Sequence, residues 1–123
     1  MKIVIAGTRW DKDLDREFQK YVYNIISILI ETNELTPTEI VSGCCRYSPD
    51  YVGELYAQSH SITISKFPPD WEAHKKAAGP IRNREMVVHC DAVVLIWDGK
   101  SAGSSNMKKE AQKLGKPVYD FIY

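Results

Sequence analysis

The sequence has no excess of charge of either sign. Lys and Arg total 16, and Asp and Glu also total 16, so no global field attracts nucleic acid or an anionic membrane. No apolar run approaches the ~20 residues that a membrane-spanning helix needs, and the apolar stretch at the N-terminus is too short for a signal peptide. We therefore predict a cytoplasmic protein with no membrane partner, in which any anion site arises from local geometry.

Cysteine and histidine are scarce, with three residues of each. An odd number of cysteines without an export signal predicts reduced thiols rather than disulfides. Cys44 and Cys45 are adjacent and lack the spacing of a zinc knuckle, while His89 and Cys90 form an isolated pair. We expect neither a metal site nor a bound cofactor.

Stretches that predict strands alternate along the chain with stretches that predict helices. Apolar repeats or helix-start signals predict helices from Leu14 to Leu29, from Ser48, from Gly79 to His89 and around Met107. Short apolar or alternating segments predict strands at 2–6, 39–41, 61–67, 92–97 and 116–123. We predict a single α/β domain over 1–123, with a Rossmann-like doubly wound parallel sheet of about five strands and helices on both faces.

The loops that follow three of these strands are rich in small residues. In an open parallel sheet, ligands bind beyond the carboxyl ends of the strands, where small residues let backbone N–H groups approach them. The helix after Gly103 has no acidic residue in its first turn, and Arg82 lies in the first turn of its helix, where a cation opposes the helix dipole. Both features favour an anionic ligand. Taken singly, each also fits a serine-capped surface helix or a solvated arginine.

Five segments together resemble a known family, and they span nearly the whole chain: 7–10, 41–54, 67–74, 78–86 and 91–107. The sequence resembles the SLOG superfamily (Smf/DprA and LOG-like Rossmannoid proteins), and within it the YspA/YpsA-related branch of bacteria and phages. The resemblance implies a Rossmann-like fold that binds nucleotides or nucleotide-derived molecules, often as a homodimer or larger homo-oligomer. It also implies that the phosphate and sugar end of the pocket is lined by Gly43, Arg82, Gly99, Gly103 and Ser104.

Strand ends and resemblance together give the predicted ligand-binding residues: Gly7, Thr8, Arg9, Ser42, Gly43, Arg46, Asp50, Arg82, Asn83, Asp98, Gly99, Gly103 and Ser104.

Two positions depart from the family pattern. The second loop reads Cys44-Cys45 where relatives continue with a glycine and a small residue, which predicts a reshaped cradle. Met107 stands where the LOG-type phosphoribohydrolases are expected to have a glutamate. A thioether cannot stabilise an oxocarbenium-like transition state as a carboxylate does.

The first functional hypothesis is a module that binds or senses a nucleotide-like molecule. It requires the helix N-termini, the arginines and an aromatic side chain for base stacking, for which Trp10, Trp71 and Trp97 are candidates. Trp97 ends an apolar strand and also fits a core position. The tyrosines near both chain ends fit either a core or a dimer face.

The second hypothesis is an enzyme that acts on an N-glycosidic bond, either a hydrolase or a deoxyribosyltransferase. It requires a carboxylate near the anomeric carbon. Asp98 and Glu54 are the leading candidates, followed by Glu85 and Asp50. A third hypothesis, single-stranded DNA binding, is disfavoured by the balanced charge, so nucleic acid is not the expected partner.

Overall fold

Five parallel strands form the centre of the computed structural model, which describes residues 1–123. The strands are β1 (Lys2–Gly7), β2 (Glu39–Ser42), β3 (Thr63–Lys66), β4 (Ala92–Trp97) and β5 (Val118–Ile122). Their order is β3-β2-β1-β4-β5, and every neighbouring pair is parallel. From β1 the chain proceeds first to one edge and then, from β4, to the other. The direction of winding therefore reverses between β1 and β4, which confirms the predicted Rossmann-like α/β fold.

The helices lie on both faces of this sheet, as predicted. They are α1 (Asp15–Thr32), α2 (Pro49–Ser59), the single turn α3 (Trp71–His74), α4 (Ala78–His89) and α5 (Ala102–Lys113). Short 3₁₀ turns at Lys12–Leu14 and Lys75–Ala77 precede α1 and α4. None of these helices is both long enough and apolar enough to cross a membrane.

The two faces are separated by the alternation of side chains along each strand. Ile3 and Ile5 of β1 pack with α1 and α2 in one buried cluster, while Val4 and Ala6 pack with α4 and α5 in the other. All six residues of β4 are buried, because this central strand is covered on both faces. The apolar run that predicted this strand therefore corresponds to a position between two cores.

The helices begin in different ways. Ser48 caps α2 by accepting a hydrogen bond from the Asp50 N–H, with Pro49 at the first helical position. Ser101 caps α5 by accepting from the Ser104 N–H. The start of α4 has no side-chain cap, and neither α4 nor α5 has an acidic residue in its first turn.

Candidate functional site

A cavity of about 410 Å³ opens at the carboxyl edge of the sheet, where the winding direction reverses. Doubly wound sheets place their ligands at this point, and the volume lies within the range of small-molecule sites. The wall is formed by the loop after β1, the start of α2, the segment from α3 to α4 and the first turns of α4 and α5. Its lining residues are Ala6, Gly7, Thr8, Arg9, Cys45, Asp50, Trp71, Lys76, Gly79, Pro80, Arg82, Asn83, Met86, Ser101, Gly103, Ser104, Asn106 and Met107.

The end of β1 contributes the floor of the cavity. A Cβ on Gly7 would overlap the carbonyl oxygen of Ile96, so only glycine lets β1 lie this close to the end of β4. Thr8 continues the contact, since its N–H donates to that same carbonyl at 3.2 Å. Arg9 follows as an exposed side chain that forms no ion pair with a carboxylate.

A second group of residues joins the end of β2 to α4. The Arg82 guanidinium donates through Nη1 to the carbonyl of Gly43 and through Nε to Oδ1 of Asn83, the latter at 3.1 Å. A Cβ on Gly43 would lie 2.5 Å from Arg82 Nη1 and 2.8 Å from Asp50 Oδ2. Glycine at this position therefore lets a guanidinium and a carboxyl group approach the end of β2 together.

Asp50 is the one carboxylic acid in the wall of the cavity. Its residue is only 6% exposed, and its Oδ2 accepts a hydrogen bond from the Cys45 N–H at 3.3 Å. Burial raises the pKa of Asp50 to about 6, and the positive charge of Arg82 opposes that rise. The group is therefore ionised at neutral pH and takes up a proton in mildly acidic solution.

The starts of α4 and α5 face each other across the cavity. Asn83 Nδ2 donates to the Gly103 carbonyl at 3.2 Å and to Oδ1 of Asn106 at 3.0 Å, which ties the N-terminal halves of the two helices together. Lys76, just before α4, and Trp71, which is 51% exposed, complete this side of the wall. The lining thus carries three cationic side chains, one carboxylic acid, two helix starts and one exposed indole.

Comparison with known proteins finds a relative by sequence. No family model and no solved structure matches the sequence. The chain is 38% identical over 133 aligned positions to the Gene 61 protein of Mycobacterium phage D29, with 98% of this chain and 95% of that protein covered. The chain belongs to the family of this Gene 61 protein.

Eight of the predicted ligand-binding residues come together in the cavity of this member of the Gene 61 family. They are Gly7, Thr8, Arg9, Asp50, Arg82, Asn83, Gly103 and Ser104. The other five lie outside the lining. Gly43 supports the wall from behind by accepting from Arg82, and Gly99 occupies a turn with φ of 79°.

Arg46 and Ser42 are the clearest departures from the predicted binding set. The Arg46 guanidinium forms two hydrogen bonds to the Asp15 carboxylate, at 3.1 and 3.3 Å, and lies over the Tyr51 ring. These contacts turn it towards α1 and away from the cavity. The buried Ser42 hydroxyl donates to Glu54 at 2.6 Å and accepts from the Cys44 N–H at 3.1 Å, so its hydrogen-bonding capacity is used within the fold.

The two leading catalytic candidates also lie outside the cavity. Asp98 Oδ1 accepts from the N–H groups of Lys100 and Ser101 at 2.8 and 2.9 Å and from the Thr8 hydroxyl at 3.2 Å. These bonds hold the pKa of Asp98 below its usual range and fix it as a turn residue. Glu54 is buried, bonded to Ser42 and 3.5 Å from Lys66 Nζ.

Of the remaining carboxylic acids that the sequence suggested, Asp50 lines the cavity and Glu85 lines a separate groove. No three His, Cys, Asp or Glu side chains lie close enough together to hold a metal ion.

Only one of the three tryptophans is available to a ligand. Trp10 stacks on Phe18 with ring centroids 5.2 Å apart and donates to Asp15, while the buried Trp97 donates to Asp120. Trp71 alone lines the cavity.

Sequence reasoning did not include Lys76 and Asn106 in the site. The sequence signal for each was its position near a helix start: Lys76 lies two residues before α4, and Asn106 is the fifth residue of α5.

Proposed function

We propose that this protein binds or senses a nucleotide or a nucleotide-derived small molecule in the cavity between β1, α4 and α5. The observation that carries the proposal is the composition of the wall: Arg9, Lys76 and Arg82 face a single carboxylic acid, and two helices begin there with no acid in their first turns. The positive end of a helix dipole and a guanidinium both favour phosphate. The exposed Trp71 indole gives a base a surface for stacking.

An N-glycosidase or deoxyribosyltransferase is the second candidate, and Asp50 is the observation that favours it. A buried carboxyl group with a pKa near 6 has the property that a general acid requires. The resemblance, however, implies a catalytic glutamate at position 107, where this chain has a methionine that lines the cavity and packs into the core. Binding without turnover therefore accounts for more of the site.

Three broader expectations accompany the proposal. We infer membership of the SLOG superfamily, cytoplasmic localisation with reduced thiols, and a homodimer or larger homo-oligomer. The support for oligomerisation is a group of exposed aromatic and aliphatic side chains beside the edge strand β5, comprising Tyr21, Phe121, Ile122 and Tyr123. Light scattering after size-exclusion chromatography measures the oligomeric state directly, and a monomer at micromolar concentration would contradict this expectation.

Calorimetry against a panel of nucleotides tests the proposed function. The panel includes AMP, NAD, ADP-ribose and cyclic nucleotides, and released base is assayed in the same samples. We expect binding of at least one compound without release of base. Binding accompanied by release would favour the enzyme, and no binding by the folded protein would refute both candidates.

Arg82→Ala is the matching variant, with Arg84→Ala as its control. Arg84 lies on the same helix but pairs with Glu110 at 3.3 Å and lies outside the cavity. We expect Arg82→Ala to lose detectable binding and Arg84→Ala to retain it. Equal affinity of the two variants would show that the ligand lies elsewhere.

A further inference from the structure

Asp50 is buried without the ion pair that would normally compensate its charge. The Arg82 guanidinium donates to the Gly43 carbonyl and to Asn83, and it forms no salt bridge with Asp50. The Cys45 N–H donates to one carboxylate oxygen, and the Ser48 hydroxyl also stabilises the ionised form. A carboxylate can accept about four hydrogen bonds, so Asp50 retains acceptor capacity inside the cavity.

The sign of this charge conflicts with a site built for phosphate alone. Arg9, Lys76, Arg82 and the starts of α4 and α5 favour anions, whereas an ionised Asp50 repels them. Its position in the first turn of α2 gives a local reason for an acid, since a negative charge there suits the helix dipole. That reason does not require the side chain to lie in the cavity wall beside Gly43.

We propose that Asp50 accepts hydrogen bonds from a hydroxyl or amino group of the ligand, so that the site selects a phosphorylated sugar or nucleotide over bare phosphate or pyrophosphate. This inference rests on the proposed function and specifies its ligand class. The cationic side of the wall binds the phosphate, and Asp50 binds the donor-bearing part of the same molecule. A ligand without such a donor leaves the Asp50 charge unpaired next to a phosphate, which lowers its affinity.

Three probes distinguish this role from that of a helix-start residue: inorganic pyrophosphate, ribose 5-phosphate and AMP. Their affinities are measured by calorimetry at pH 7.5 for the wild type and for Asp50→Asn. Asp50→Asn removes the charge and should weaken AMP or ribose 5-phosphate about tenfold, because a hydrogen bond to a charged acceptor is replaced by a neutral one. The same variant should bind pyrophosphate a few-fold more tightly, because one repulsive charge is gone.

Comparing the loss of affinity among the three probes also identifies which group of the ligand donates to Asp50. A loss shared by ribose 5-phosphate and AMP identifies sugar hydroxyl groups, and a loss confined to AMP identifies the amino group of the base. Glu85→Gln is the matched control, since Glu85 is a carboxylic acid on α4 that lines a separate groove and lies outside the cavity. It should leave all three affinities unchanged.

Other outcomes overturn the inference. If Asp50→Asn strengthens or does not change the binding of every probe, Asp50 serves only the start of α2. Equal wild-type affinity for pyrophosphate and AMP would remove the proposed selectivity. If the wild type binds none of the probes and no member of the nucleotide panel, the proposed function fails and this inference with it. Asp50→Ala, checked for folding by circular dichroism, provides a second variant with the same expected signs.

Discussion

The segments that follow β2 and β4 leave the same edge of the sheet, and each brings an aspartate to that edge. In the loop after β4, Asp98 accepts hydrogen bonds from Thr8, Lys100 and Ser101, and these bonds lower its pKa. In the first turn of α2, which follows β2, Asp50 is buried beside Gly43 with few donors, and burial raises its pKa. Asp98 is therefore a structural turn residue whose carboxylate is used within the fold. Asp50, which has fewer donors, is available to a ligand in the cavity.

The largest expected effect on stability is that of Asp50→Asn. The folded-state pKa of about 6 lies above the usual aspartate pKa of 3.8, so the native state binds more protons than the unfolded state between these values. The wild-type protein should therefore lose stability as pH rises from about 4 to 6, by up to about 3 kcal/mol.

Asp50→Asn removes this penalty and should raise Tm at pH 7.5 while changing it little at pH 4, as measured by thermal unfolding across that range. If the Tm of Asp50→Asn depends on pH in the same way as the Tm of the wild type, burial does not raise the pKa of Asp50 as described.

The next effect comes from adding a methyl group between the acid and the arginine. Gly43→Ala places a Cβ 2.5 Å from Arg82 Nη1, which must move away from the Gly43 carbonyl. We expect weaker ligand binding together with a loss of about 1 kcal/mol in the free energy of unfolding, at the low end of overpacking costs because the Cβ meets the ends of two flexible side chains. Gly103→Ala, in the first turn of α5, is the control, because its Cβ would meet no atom within 4 Å. A denaturation midpoint for Gly43→Ala that is no lower than that for Gly103→Ala would contradict the close approach described for Gly43.

Asp98→Asn should have a smaller effect of the opposite sign to Asp50→Asn. The pKa of Asp98 is lowered in the fold, so its contribution to stability is present above the unfolded pKa and is lost as pH falls through the folded value. We expect a lower Tm than wild type at pH 7, with the difference shrinking as the pH falls through the range in which Asp98 is protonated. If both asparagine variants shift Tm in the same direction at pH 7, the contrast between the two aspartates is wrong.

The smallest effect concerns the backbone of the β2 loop. Cys44 has φ of 69°, a left-handed conformation that disfavours side chains other than glycine. Cys44→Gly should therefore raise the free energy of unfolding by about 1 kcal/mol or less, since relief of strain exceeds the entropic cost of glycine. Cys45 has no positive φ, so Cys45→Gly should gain nothing in the same urea titration. If the two variants change the free energy of unfolding equally, the strain does not lie at Cys44.

Much of the fold and part of the site follow from patterns that are local in sequence. The apolar run of β4 predicted a strand covered on both faces, and Ser48-Pro49 predicted the start of α2. Loops at strand ends identified the edge of the sheet, and together with helix starts and the family resemblance they identified eight residues of the cavity wall. Position after a strand also selected Arg46 and Asp98, which lie outside the cavity. The sequence pattern of a charged residue that contacts a ligand is the same as that of one that contacts a neighbouring side chain.

The sequence by itself determined the alternation of strands and helices, the parallel sheet and the edge at which glycine and arginine gather, because hydrophobic periodicity and helix-start residues act over a few positions. Only the tertiary structure decided which acid is exposed to the cavity. Arg82 reaches Gly43 across 39 positions, and Asp98 is held by Thr8 across 90. Partners so distant in sequence meet only once the sheet is assembled, and they determine which charges are satisfied within the fold and which remain available to a ligand.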